Sequence, residues 1–179
     1  MHQARFLVSG TALILLAACQ PSKPVPLAAA DSTAITNVRT DYIAAWNAGK
    51  VDAVVALYTS DAELQGPDMP AVRGSDALRG YFNRALGTPT RPTIAITVGS
   101  LLGRQDLAVM AGTYTLTPPA PPAPAKGAAP APPAPLAGKY LVAAVKQPDG
   151  TWKMSYHAFS LDAPPAPPAP EKPAGRRGR

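Results

Sequence analysis

Cysteine is almost missing from this chain of 179 residues: Cys19 is the only one. That excludes an internal disulfide. Histidine is nearly as scarce, with His2 and His157 alone, so a metal centre built from several histidines lacks its ligands. No glycine-rich phosphate loop of the Walker or dinucleotide type occurs, and no cofactor is expected. Charge of one sign also runs short where it would matter. The formal net charge is +6, but between Asp31 and Asp162, leaving out Lys126, ten basic residues face ten acidic ones. The excess lies in Arg5, Lys23, Lys126 and the tail around Lys172, Arg176, Arg177 and Arg179. A neutral core region offers no nucleic-acid surface, and nucleic acid is excluded as a partner.

What the chain does have begins at its N-terminus. Arg5 supplies a positive charge, Phe6–Leu16 is an apolar run, and Ala17-Ala18 lead into Cys19. These are the parts of a secretory signal, with a run shorter than the about 20 residues of a stable membrane-spanning helix. Leu16-Ala17-Ala18-Cys19 resembles the lipobox of bacterial lipoproteins. The resemblance implies that residues 1–18 are removed and that Cys19 is acylated, making a membrane the first partner. Gln20 after the cysteine resembles the sorting signal for the outer membrane, with the domain facing the periplasm. An ordinary cleaved signal with a stray thiol at Cys19 is the plainer alternative.

Proline is plentiful, and its position is informative. Of 23 prolines, three lie in Gln20–Ala30, nine in Pro118–Pro135 and six in Pro164–Pro173. Stretches of proline and alanine bury no core and favour an extended, solvated chain. Residues 19–30 are therefore expected to be a linker, 118–137 an insert, and 163–179 a disordered basic tail. At about 3.1 Å per residue, the linker holds the domain roughly 30 Å from lipid. The tail is either solvated or in contact with anionic lipid or cell wall.

Residues 31–162 remain for one domain. Asp31 or Ser32 is placed to cap a first helix, whose apolar face carries Ile35, Val38, Tyr42, Ala45 and Trp46 before Gly49 stops it. A short helix over Asp52–Tyr58 and a third capped by Ser75 follow. The period then changes to two, as in strands: Ile94, Ile96 and Val98 alternate with polar or small residues, as do Met110, Gly112, Tyr114 and Leu116. Tyr140–Lys146 and Thr151–Leu161 flank Pro148-Asp149-Gly150, where proline sets φ and glycine allows a positive one. Helices followed by a strand meander predict an α+β domain. The Pro/Ala-rich insert reads as an extended hairpin tip, because closure entropy grows only slowly with loop length.

DYIAAWNAGKVDAVVALYTSDAEL, VRGSDALRGYF, the meander and GTWKMSYHAFS come in the order found in the nuclear transport factor 2-like superfamily. The chain resembles its SnoaL-like and ketosteroid isomerase-like branches over nearly all of Asp31–Leu161. That resemblance implies a curved antiparallel sheet wrapped on three N-terminal helices into a cone, with an apolar pocket and a possible homodimer through the convex face. Carried over residue by residue, the isomerases' oxyanion-hole tyrosine falls on Tyr42. Their general base falls on Gly66 and their protonated acid on Val142, neither of which can move a proton.

The weak catalytic candidates are thus Tyr42, Asp61 and His157. Asp61 and Glu63 are the carboxylates nearest the pocket mouth, but the preferred reading has Asp61 ending the second helix and ordering the turn into the strand, and Glu63, which alternates with Leu64, facing solvent. Regular pleating puts Trp152, Met154 and Tyr156 in the pocket and His157 on the opposite face, whereas a bulge reverses that arrangement. Tyr42, Trp46, Tyr58, Tyr81, Met110, Tyr114, Tyr140, Trp152, Met154 and Tyr156 are the expected pocket set. They suit a small hydrophobic ligand, or else simply fill the core. A non-catalytic, lipid-anchored domain that binds a small hydrophobic molecule or a partner chain at the cell envelope is the leading expectation. The alternative is a SnoaL-like isomerase, dehydratase or cyclase acting on a carbonyl-containing hydrophobic substrate.

Overall fold

The computed structural model describes residues 26–120 and 133–162. Cys19, most of the linker, the centre of the insert and the tail lie outside the described residues.

The first helix, α1 (Ala29–Asn47), buries the face expected of it: Ile35, Val38, Tyr42, Ala45 and Trp46. Its polar side is rich in Ser and Thr, and the hydroxyls of Ser32, Thr33, Thr36 and Thr40 each donate to the carbonyl four residues back. Side chains that often compete with the helix are therefore satisfied inside it. The helix ends as its glycine demands. Gly49 takes φ +67°, and Lys50 N–H donates to the Ala45 carbonyl at 2.9 Å, the closing bond of a left-handed helix stop.

The start differs from expectation. Ala28 occupies the N-cap position without a side-chain bond, and neither Asp31 nor Ser32 caps the helix. The Asp31 carboxylate is needed elsewhere: it pairs with Lys146 Nζ at 2.7 Å and accepts from Trp152 Nε1 at 2.9 Å. These bonds hold its carboxyl below the ordinary range. Ahead of the helix, Leu27 packs against the core and Pro26 bridges to Arg104.

Helix α2 is shorter than anticipated, spanning Val51–Ala56, and Tyr58 opens strand β1 (Tyr58–Gln65) instead of closing the helix. A two-residue strand β2 (Val72–Arg73) leads through Gly74, at φ +80°, into α3 (Ser75–Leu86). That helix turns Leu78, Phe82 and Leu86 inward. The meander follows as β3 (Thr93–Arg104), β4 (Leu107–Thr117), β5 (Leu136–Lys146) and β6 (Trp152–Leu161).

The six strands form one sheet in the order β2-β1-β6-β5-β4-β3. It is mixed, which corrects the all-antiparallel expectation: after α3 the chain re-enters the sheet at its far edge with β3 and returns strand by strand until β6 lies beside and parallel to β1. The helices pack on the sheet's concave side, and the α+β architecture stands as expected. Gly112 marks the tightest bend, where a Cβ would sit 2.0 Å from the Thr97 carbonyl oxygen. Only glycine fits there. At the β5–β6 turn Gly150 has φ +84°, and Asp149 accepts from the Thr151 N–H at 2.9 Å and hydroxyl at 2.7 Å.

Two register shifts in the meander decide which residues face inward. Gly99 is the extra residue between Val98 and Ser100 of β3. In β6, Ala143 pairs with Tyr156 and Ala144 with Met154, leaving Ser155 unpaired in the ladder. A bulge of this kind reverses side-chain alternation beyond it.

Candidate functional site

The Ser155 bulge changes the candidate site. Trp152 and Met154 face inward, but past the bulge His157 replaces Tyr156 on the concave side. The expectation from regular pleating is thereby corrected. Tyr156 sits half-buried beside Glu63 across the β1–β6 pairing, and His157 is buried at 8% exposure. Ser155 secures the bulge, its hydroxyl donating to the Ala143 carbonyl at 3.2 Å.

A cavity of about 70 Å³ lies between the helices and the concave face. Helix α1 contributes Tyr42 and Trp46, and α3 contributes Tyr81. The sheet supplies Leu64, Ile94, Ile96, Tyr114, Leu116, Tyr140, His157 and Phe159. No carboxylate is among these residues.

Each wall is fixed from behind. Trp46 Nε1 donates to the Pro92 carbonyl at 2.9 Å. The neighbouring Asn47 copies a strand edge: its Oδ1 accepts from Ile94 N–H at 2.8 Å and its Nδ2 donates to the Ile94 carbonyl at 3.1 Å. The end of α1 is thereby clamped to the start of β3, which sets Trp46 and Ile94 side by side. Tyr114 donates to the Ser160 carbonyl at 3.1 Å.

His157 is held most closely. The Tyr58 hydroxyl and His157 Nδ1 share a hydrogen bond of 2.7 Å. The two rings are nearly parallel, with centroids 6.1 Å apart, while Tyr42 meets the imidazole edge-on at 5.8 Å. Burial lowers the imidazole pKa from 6.5 to about 4, so His157 is neutral at pH 7. The phenols of Tyr42 and Tyr58 are pushed well above their ordinary range by the same burial. With Nδ1 engaged, Nε2 is the ring nitrogen left for a ligand.

The sequence-derived candidates divide accordingly. Tyr42, Trp46, Tyr81, Tyr114 and Tyr140 line the cavity. Tyr58 stands behind His157, and Met110 and Met154 border a smaller space beside the cavity. Trp152 is placed outside it by its bond to Asp31, and Tyr156 by the bulge. Asp61 neither ends a helix nor reaches the cavity; it is an exposed residue of β1. Glu63 is spent on Arg73 at 2.8 Å and Gln65 at 2.6 Å, which hold its carboxyl below the usual range.

Sequence reasoning missed Arg39 and, in the cavity wall, Phe159 and the aliphatic residues Leu64, Ile94, Ile96 and Leu116. Phe159 was hidden by the bulge. Arg39 had a signal, since it lies between Ile35 and Tyr42 on the apolar face of α1 at helical spacing. Gly66 proves to be filled from outside: a Cβ there would meet Phe159 Cζ at 2.5 Å and Met69 Sδ at 2.9 Å. A proton-accepting side chain at this position has no room until Phe159 moves. Val142 is buried on β5 opposite His157. Among the described residues there is no group of three or more His, Cys, Asp or Glu suited to a metal ion, and no helix is long and apolar enough to cross a membrane.

The family profile described as "SnoaL-like domain" matches residues 40–133, just over half of the chain. No curated protein matches. Among solved structures, a ketosteroid isomerase-like protein from Erwinia carotovora atroseptica is similar at 25% identity and TM-score 0.61, over 74% of this chain and 96% of that one. An NTF-2 like protein of unknown function from Shewanella oneidensis aligns at 16% identity and TM-score 0.58, over 72% and 98%. A protein of unknown function with a cystatin-like fold from Nostoc punctiforme aligns at 21% and 0.63, over 80% and 98%. The last two speak for the fold alone.

Proposed function

Because the chain belongs to the SnoaL-like domain family, we propose that its cone binds a small hydrophobic molecule without transforming it, at the end of a lipid anchor on Cys19. One observation carries the binding half: an aromatic cavity with a neutral imidazole, fixed at Nδ1 by Tyr58, as a directional polar group in its wall. Apolar walls with a few fixed polar groups are what orient a small ligand. A carbonyl or hydroxyl on that ligand would meet His157 Nε2. Mass spectrometry of molecules extracted from the purified protein tests this: a co-purifying hydrophobic compound that disappears in Trp46→Ala or Phe159→Ala is expected. An empty protein that also fails to take up apolar probes would overturn it.

The anchor half rests on Leu16-Ala17-Ala18-Cys19 and on Gln20 after it. The proposed location is the outer membrane, facing the periplasm. The mature N-terminal peptide should carry diacylglycerol on the Cys19 sulfur, and Cys19→Ser should release the protein from membranes. An unmodified thiol there would leave only an exported protein.

A second reading is favoured by His157 facing the cavity beside Tyr42: enzymatic proton transfer on a carbonyl-containing hydrophobic substrate. Against it, an imidazole with a pKa of about 4 is a poor base at neutral pH, and no carboxylate lines the cavity to partner it. The solved ketosteroid isomerase-like relative adds no base, since the positions that would carry the isomerase pair are Gly66 and Val142. Deuterium exchange at the carbon beside a bound ketone's carbonyl, abolished by His157→Gln, would establish catalysis in place of binding.

A further inference from the structure

Two residues that border one end of the cavity carry buried donors with nothing to bond to. Arg39 Nε and the Tyr140 hydroxyl are both enclosed, and neither has a hydrogen-bond partner in the protein. Tyr140 is only 7% exposed. A buried donor left without a partner is costly, so a pair of them bordering one space calls for an occupant. Both residues border a space of about 20 Å³ that shares Tyr42, Ile96, Tyr140 and His157 with the main cavity. Room on that scale takes one water-sized group, such as a single carboxylate oxygen.

Charge narrows the choice of occupant. The ion pairs among the described residues do not include Arg39, and no acidic residue lines either space. A guanidinium stays protonated and favours planar oxyanions. Arg39 also comes from the same helix face as Tyr42 and Trp46, so the cation and the aromatic walls are presented together. A flat apolar body in the main cavity would place an attached anionic group against Arg39 and Tyr140, where charge-assisted hydrogen bonds are strong.

We propose that the ligand is a hydrophobic monocarboxylate, one carboxylate oxygen accepting from Arg39 Nε and the Tyr140 hydroxyl while the ring system lies among Tyr42, Trp46 and Phe159. This rests on the cavity's being a ligand site. An ordered water bridging the same two donors is the rival occupant.

The test uses the full chain and three probes at pH 7.4: 2-naphthoate, its neutral isostere 2-naphthamide, and naphthalene, with binding read by calorimetry and by tryptophan fluorescence. The wild type should bind 2-naphthoate roughly ten-fold more tightly than 2-naphthamide. Arg39→Met, which keeps the aliphatic stem, should erase that preference and leave naphthalene, which makes no bond to the guanidinium, within about two-fold of its wild-type affinity. Tyr140→Phe should reduce the preference in part. Thermal melts confirm that each variant is folded, and the naphthalene affinity reports an intact cavity independently of the anchor. Equal affinities for acid and amide on the wild type, or a preference unchanged in Arg39→Met, would assign the two donors to water and overturn the proposal while hydrophobic binding stood. Failure of all three probes on the wild type would overturn the binding function as well.

Discussion

The two halves of β6, before and after Ser155, use their inward-facing residues differently. Before it, Trp152 and Met154 fill the core, and the Trp152 indole is tied to Asp31, which is tied in turn to Lys146. These contacts pin α1 to the sheet. After it, His157 and Phe159 face open space, and only His157 is anchored, through Tyr58. One extra residue thus separates a stretch that holds the fold together from a stretch that shapes a cavity. The lesson is that the site was made by a shift of phase, with no change in the kinds of residue the strand contains.

Substitutions on the two sides should therefore behave differently. The largest loss of stability is expected from Trp152→Ala, about 3–5 kcal/mol by urea denaturation, with probe affinity unchanged in the protein that remains folded. If affinity falls in step with stability, the two halves are not separable.

Acid should act mainly on the second half. The His157 imidazole has a pKa of 6.5 in its ordinary state and about 4 when folded, so between these values the unfolded chain binds the proton and the folded chain does not. Stability is therefore full above about pH 6.5 and falls as pH drops towards 4, by about 3 kcal/mol in all. His157→Gln should flatten that limb. The carboxyls of Asp31, Glu63 and Asp149, whose pKa values are lowered in the fold, weaken it only at more acidic pH. A wild-type limb that survives in His157→Gln would place its origin elsewhere.

Tyr58→Phe removes the hydroxyl that holds Nδ1 and should cost about 1–3 kcal/mol, while loosening the orientation of the imidazole and weakening carbonyl-bearing ligands more than pure hydrocarbons. An equal loss for both ligand types would reduce Tyr58 to a packing role. The smallest effect is expected at the discarded candidate: Asp61→Asn should change stability by less than about 0.5 kcal/mol and leave ligand affinity as it was.

Much of this architecture was legible in the sequence. The apolar face of α1, the glycine stop at Gly49, the α3 face and the Pro148-Asp149-Gly150 turn follow from local rules that tertiary packing did not override. The parallel β1–β6 pairing was not legible, because strand order is set by long-range contacts that no local pattern encodes. Tyr42, Trp46, Tyr81, Tyr114 and Tyr140 could be named in advance because apolar periodicity points them inward. His157 could be named as a candidate but its face could not be fixed, and Phe159 could not be named at all, since a bulge at a serine leaves no mark in the alternation on either side. Asp31 misled for a different reason: an acidic residue near a helix start looks like a cap, and this one was drawn away by Lys146 and Trp152. Arg39 could have been noticed as a cation set in an apolar stripe.

The character of the cavity depends most on where His157 points and what protonation state it holds. Nitrogen NMR of ¹⁵N-histidine-labelled protein, with His157 assigned by its absence in His157→Gln, measures both across a pH titration. The expected spectrum shows a neutral imidazole down to about pH 4.5, in line with its lowered pKa, and shifts on adding a cavity probe. A ring that titrates near 6.5 and ignores the probe would put His157 on the outer face and contradict the site described for it.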